Sequence, residues 1–388
     1  MEAGFVKKAK WRVEAWAHSA VAALFRQLAV ETVFAVGECL GRVIWPFMKV
    51  RRNTIARNLR IVGAVGAEGS ESAARESFIR TVANLMCSSV SANMRGEDIG
   101  EVLEVENPEL LAEAAAQGKG VLLLLAHMGN WELLTRLHRT FPEGVKIGGF
   151  YRPLNNPILN ERVLRERQAD GARMFSKRDS LHHVSGFLRE NGVVGILADQ
   201  RVGWQGELVP FFGRLTRASP VPSLLARRCK SEMLALSFRT VAPGKWSARY
   251  HAVEKPHTTA NCMAALEKAM RVSLIDVFWM QERWKLYIGK KATPVKWLGN
   301  PDSRGNKPHR AVVWVKDSEK DLPLPPACLH PDIIHEYAIG KAVDALEVID
   351  KSQTLPVDYI LTFSKHPGLR EKARELGIRV YPVSYFSG

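Results

Sequence analysis

From about residue 100 onward, short apolar runs alternate with segments whose apolar positions recur at helical spacing. The runs are VLLLLA (121–126), VKIGGF (145–150), VVGILA (193–198), MLALSF (233–238) and SARYHAV (247–253). They have strand length, and the first and third are apolar throughout, as strands covered on both faces are. Helical spacing fills the intervals 108–117, 131–140, 157–170, 180–190 and 220–230, and a longer helix is expected over 258–280. This alternation predicts an α/β fold, a sheet flanked by helices with functional loops at the strand carboxyl ends.

Both ends of the chain depart from that pattern. Residues 20–47 place Val21, Leu24, Phe25, Leu28, Val36, Leu40, Val43 and Phe47 on a helical stripe, interrupted by Arg26, Glu31, Glu38 and Arg42. A charge at the centre of a membrane span costs about 2.5–3.5 kcal/mol, so the run reads as amphipathic rather than spanning. Two roles stay open for it: lying on an anionic membrane face, or packing on the core as a first helix. A helical pattern continues over 71–95. Residues 294–310, rich in Pro, Gly, Asn and charge, form a linker. The remainder, 311–388, reads as a small β-α-β-α-β appendage: AVVWV (311–315), a helix near 332–350, DYILTF (358–363), a helix over 367–376 and IRVYPV (378–383). It carries no glycine-rich nucleotide motif, and a structural or interaction role is expected of it. The division is thus 1–60 for membrane docking, 61–293 for the main domain, 294–310 for the linker and 311–388 for the appendage.

Charge sharpens the amino-terminal reading. The net charge is +15, which implies an anionic partner. Residues 1–60 hold 11 Lys and Arg against 4 Glu, a net of +7, so nearly half of the excess lies there. Lys7, Lys8, Lys10 and Arg12 precede the stripe and Lys49, Arg51 and Arg52 follow it, as suits an anionic lipid surface. Nucleic acid is not expected, since no recognition motif or basic–aromatic stacking pattern is present. The 5 Cys are scattered and none forms a CxxC, which points to a reducing compartment without disulfides or zinc. Glu14 and His18 argue against a signal peptide.

The chemistry begins at VLLLLAHMGNWELL, 121–134. His127 stands where a buried strand ends, Gly129-Asn130 makes a turn, and Glu132 sits in the first turn of the next helix. The pair reads either as a structural hydrogen bond or as a general base with its orienting carboxylate, Glu132 holding one ring nitrogen protonated and the other accepting a proton. Arg152 follows a strand and suits bidentate contact with phosphate. Arg165 and Arg167 lie on a helix and suit the same work. Asp199-Gln200 closes another buried strand, with a structural cap and a site role both open. Pro210-Phe211-Phe212-Gly213 reads as plain core or as the wall of an acyl tunnel. His182-His183 lacks companions at metal-ligand spacing, and neither HExxH nor GxSxG occurs, so no metal and no nucleophilic serine are expected.

Taken in order, HMGNWE, YRPLNNP, ADQ and VPFFG, with RRNTIARNLR at 51–60, resemble the bacterial lipid A late acyltransferases, the lauroyl/myristoyl acyltransferase family that includes phosphatidylinositol mannoside acyltransferases. The resemblance spans roughly residues 10–290. It implies a glycerophosphate-acyltransferase-like sheet and transfer of a fatty acyl group from a thioester of acyl carrier protein or coenzyme A to a hydroxyl of an anionic membrane glycolipid such as a lipid A precursor. It further implies no cofactor, and a site on the cytoplasmic face of the bacterial inner membrane, peripheral or held by the amino terminus. The family's HxxxxE/D pair maps to His127 and Glu132, with Arg152, Arg165, Arg167, Asp199, Gln200 and Arg283 as substrate-binding candidates. Backbone N–H groups around 128–131 are placed to receive the oxyanion. One departure concerns the acceptor. Where the family has a Trp followed by His-Arg-Arg, residues 279–285 read Trp-Met-Gln-Glu-Arg-Trp-Lys, keeping only Arg283. Another glycolipid, such as a phosphatidylinositol mannoside, is therefore an open alternative, as is a non-catalytic lipid-binding or scaffold protein on the same fold.

Overall fold

The computed structural model describes residues 5–25, 27–91, 94, 96–168, 171–176, 179–203, 205–284, 307–329 and 331–386. They fall into two compact units, Met1–Gly41 with Ile79–Asp199 and Pro220–Val277, and Arg42–Phe78 with Gln200–Ser219 and Phe278–Gly388. This grouping cuts across the 1–60, 61–293 and 311–388 division. Of the expected linker, residues 294–306 lie outside the described residues, and the strand after it already begins at His309.

The first unit is built on seven strands: β1 (Leu103–Glu106), β2 (Val121–Leu125), β3 (Ile147–Tyr151), β4 (Arg173–Ser176), β5 (Val193–Leu197), β6 (Glu232–Ala242) and β7 (Lys245–Ala252). Their order is β1-β7-β6-β2-β5-β3-β4, parallel throughout except for the β6–β7 hairpin. Every residue of β2 is buried, which is why its sequence is a continuous apolar run rather than an alternation. Helices Glu109–Ala116 and Thr259–Arg271 pack on β6 and β7, and Leu181–Arg189 packs on β5. Ser180 caps one of these helices through the His182 N–H and Thr258 caps another through that of Asn261.

Several local expectations are corrected. The helix expected over 258–280 stops at Arg271, because Ser273 and Asp276 bind each other and draw the chain to Thr240 of β6. The segment 131–140 winds as a 3₁₀ helix. The amino-terminal stripe is two helices, Phe5–Phe25 and Val30–Ile44. Of its two open roles, packing on the fold is seen on one face, and the other face is exposed. Asn156 reaches the Trp11 carbonyl and Arg162 that of Ala15, tying the first helix to the fold, while Trp16 stays 76% exposed. In the second helix a β-carbon on Gly37 would come within 2.6 Å of the Ala83 backbone, so only glycine allows this approach to helix Ser70–Ser91. Its other side exposes Val36 and Leu40. No helix among the described residues is long and apolar enough to cross a membrane.

The second unit centres on a parallel sheet of β8 (His309–Val315), β9 (Ile333–Ile339), β10 (Val357–Thr362) and β11 (Arg379–Pro382), in the order β9-β8-β10-β11. The helix expected near 332–350 is thereby corrected. IIHEYAI pairs along β8 as an edge strand, and only Ala345–Lys351 is helical. The run places Ile333, Ile334 and Tyr337 at spacing that fits a helix, and only the partner strand decides otherwise. Asp358 of β10 joins three segments of this unit. Its carboxylate accepts from Arg57 and Arg214 at 2.8 Å each and from the Arg310 backbone N–H at 3.0 Å. His309 Nδ1 lies 3.2 Å away. VPFFG resolves as a hairpin, Glu207–Phe211 with Arg214–Ala218, turning at Phe212 and Gly213 with φ of +53° and +75°. Phe211 and Phe212 are buried against Trp279 and Trp284, so they are core of this unit.

Burial on its own would raise the Asp358 pKa, but the Arg214, His309 and Arg57 side chains outweigh it and hold the carboxyl far below the usual range. Burial also lowers the pKa of His309, against the pull of Asp358 in the opposite direction. A depressed carboxyl pKa stabilises the fold above the unfolded value, about 4, and that contribution fades as pH falls. Asp358→Asn is expected to cost about 3–5 kcal/mol, since it strands buried charges. It should also flatten the loss of stability below about pH 4 seen in denaturant titrations of the unaltered protein.

Candidate active site

The site lies at the carboxyl ends of the central strands of the first unit. β2 and β5 pair in register with Leu125 opposite Leu197, and two residues beyond each partner stand His127 and Asp199. The Ala198 N–H donates to the Leu125 carbonyl at 2.9 Å, keeping the two chain exits together. His127 Nδ1 is 2.7 Å from Asp199 Oδ1, and Asp199 is 2% exposed. Trp131 stands edge-on to the imidazole with 5.4 Å between ring centres.

The turn that carries His127 is anchored from the far side. Met128 forms an antiparallel bridge with Val277, and the Gly129 N–H donates to the Asp276 carbonyl at 3.0 Å. Gly129 has φ of +57°, and a β-carbon there would fall 2.6 Å from the Phe238 carbonyl, so only glycine fits. Its N–H, among those expected around the oxyanion, is thus engaged in the turn itself. Asn130 is buried and donates to Ser91 Oγ at 2.6 Å.

Glu132, expected to orient the imidazole, is held by Arg167, whose Nε and Nη2 reach its two oxygens at 3.0 and 2.7 Å. The pair forms a fork between the 3₁₀ helix and helix Pro157–Gln168. Burial would lower the Arg167 pKa, but the hydrogen bond and charge of Glu132 outweigh it and the value is raised, so this guanidinium is a fixed cation. The carboxylate on the ring is therefore Asp199, which lies 72 residues away in sequence.

His127, Trp131, Glu132, Arg152 and Arg167 stand around a cavity of about 260 Å³. Its remaining lining is chiefly apolar, including Leu125, Leu134, Ile147, Phe150, Met174 and Leu197. An apolar hollow with a few charged groups is a form that suits a lipid chain bearing a polar head. Arg152 is exposed and makes no hydrogen bond or ion pair among the described residues. Arg165 faces solvent beside Glu161 at 3.7 Å. Gln200 follows Asp199 and opens the Gln200–Ser219 segment of the second unit, half-buried. Arg283 belongs to that unit too. It is 1% exposed, donates to the Phe278 carbonyl and stacks on Trp279 at 4.8 Å. No cluster of His, Cys, Asp or Glu suited to a metal occurs among the described residues.

The family model described as bacterial lipid A biosynthesis acyltransferase matches residues 3–286. Among individual relatives, the chain is 24% identical over 287 residues to the lipid A biosynthesis lauroyltransferase of Escherichia coli K12, covering 70% of this chain and 90% of that protein. It is 25% identical over 199 residues to the lipid A biosynthesis palmitoleoyltransferase of the same organism, covering 51% of this chain and 64% of that protein. The same figures hold for the lipid A biosynthesis acyltransferase of Shigella flexneri. The matched segment contains the strand tips, His127, Asp199 and the whole lining of the cavity, and on that extent the chain belongs to the bacterial lipid A biosynthesis acyltransferase family and is an acyltransferase.

Proposed function

We propose that this acyltransferase moves a fatty acyl group from a thioester, carried by acyl carrier protein or coenzyme A, to a hydroxyl of an anionic glycolipid of the lipid A type. The observation that carries this reading is the contact of His127 with buried Asp199 at the mouth of an apolar cavity. The named activities of the relatives, lauroyl and palmitoleoyl transfer, support a hydrocarbon chain as cargo.

In this reading His127 is the general base. Asp199 takes the Nδ1 proton in a hydrogen bond and fixes that tautomer, so Nε2 is the nitrogen that accepts the proton of the attacking hydroxyl. Attack on the thioester carbonyl forms the new ester bond and breaks the C–S bond, and the departing thiolate recovers a proton from the imidazolium. No covalent enzyme intermediate is required. Glu132 acts through Arg167: it holds a permanently charged guanidinium at the mouth, where, with Arg152, it suits the phosphate groups of donor or acceptor. Docking on the cytoplasmic face of an inner membrane would follow from the exposed apolar residues of the amino-terminal helices and their basic flanks.

Transfer kinetics of three variants test these assignments. His127→Ala is expected to abolish transfer while leaving thermal unfolding intact, and retained turnover would overturn the base assignment. Asp199→Asn should lower kcat about 10³–10⁴-fold, because an amide can favour the wrong tautomer. Glu132→Gln should act mainly on KM for the phosphorylated substrate, and the reverse ranking would return the orienting role to Glu132. For the membrane, Trp16→Glu combined with Leu40→Glu should at least halve cosedimentation with vesicles containing anionic lipid. Neutral vesicles should bind the unaltered protein more weakly, and the difference should shrink in high salt.

A further inference from the structure

We infer that Gly149 and Gly195 set the longest fatty-acyl chain the site accepts, an inference that rests on the reading of the cavity as the place of the donor's hydrocarbon chain. The register places Met174 of β4, Gly149 of β3, Gly195 of β5 and Leu123 of β2 in one row across the sheet. Central parallel strands covered on both faces ordinarily carry Val, Ile or Leu in such a row. Here two neighbouring positions carry no side chain, and both line the cavity.

Neither glycine is required by the backbone, for neither has the positive φ that favours glycine. Packing does not require Gly149 either. A β-carbon there would meet Met174 Cε at 3.6 Å and the Gly195 carbonyl at 3.8 Å, both ordinary contacts. The adjacent Gly148 also borders the cavity, but through its backbone, since its β-carbon would face Phe175 and Phe187, which do not line it. Its β-carbon would lie 2.9 Å from Phe175 and 3.1 Å from both Phe187 and the Arg173 carbonyl, so close packing on the other face accounts for it. At Gly195 the obstacle is Leu125 Cδ1 at 2.9 Å, the end of a flexible side chain that itself lines the cavity. Glycine in a strand weakens it, and close approach of another group is a recurring reason for its presence. What these two positions keep open is the hollow.

Their depth fits a gauge of length. Tyr151, Leu125 and Leu197 end their strands beside His127, while Gly149 and Gly195 lie two residues further in, roughly 6–7 Å along the strand. Ile147 and Ala172 line the cavity beyond them. Each methyl group added to this floor occupies space that a chain entering from the His127 end would fill.

The test uses the full chain with Gly149→Ala, Gly195→Ala and Gly149→Val. Saturated acyl thioesters from octanoyl to palmitoyl are compared by kcat/KM, and free fatty acids of the same lengths are compared by displacement of cis-parinaric acid, which needs no turnover. The expected result is a shift of preference toward shorter chains in both series. Discrimination against the longest good ligand of the unaltered protein should rise at least about tenfold, as crowding in a hydrophobic pocket does. Gly148→Ala should lower thermal stability without moving the length profile. An unchanged profile, or a uniform loss at every length, would overturn the inference while leaving the acyl-transfer reading intact. If the unaltered protein transfers no acyl group but the fatty-acid series still shifts in the glycine variants, the proposed reaction falls and the gauge stands.

Discussion

The pairing of β2 with β5 is the constraint on which the site depends. With Leu125 opposite Leu197, the two chains leave the sheet in step, and a two-residue extension on each brings an imidazole and a carboxylate within 2.7 Å. A one-residue slip would reverse the facing of every side chain on one strand and separate the pair. The burial of all five β2 residues makes such a slip costly, so apolar packing throughout the sheet is what specifies a polar geometry at its rim. Asp199 is buried and already placed against the imidazole, so the contact needs none of the ordering that a freely rotating carboxylate in water would require.

The same logic of satisfied burial governs the second unit. Asp358 brings together a guanidinium from residues 42–78, another from the hairpin and the start of β8. The sheet from 309 to 382 lies beyond the segment shared with the family. It is nevertheless fastened to family segments of this unit through a buried carboxylate, and also through Arg60, which donates to Asp350 at 2.8 Å. A carboxylate so placed is costly unless all its partners are present. The carboxyl-terminal residues and the arginines of RRNTIARNLR therefore depend on one another.

Much of the fold was legible because it follows from periodicity. The five apolar runs became β2, β3, β5, β6 and β7, and the helices between them lie where their spacing places them. The short strands β1 and β4 escaped because four residues give too little pattern, and β9 because an edge strand is decided by its neighbour. At the site, His127 could be read from its position after a buried strand. Its carboxylate partner could not, since sequence proximity favoured Glu132 whereas strand register selected Asp199. The signal was present in part: ADQ ends an apolar run just as AHM does, and two polar residues beyond two adjacent parallel strands meet. Arg283 shows a different limit, for a family motif marks a position without saying what its side chain packs on, here the indole of Trp279.

The paired glycines of β3 and β5 have a thermodynamic side as well. Removing two side chains from a sheet interior forfeits contacts that apolar side chains would make there, and apolar hollows hold water poorly. Whatever hydrocarbon enters restores those contacts to the folded state alone, so occupancy and folding become linked equilibria. A hydrocarbon ligand in this hollow would therefore raise the melting temperature of the chain.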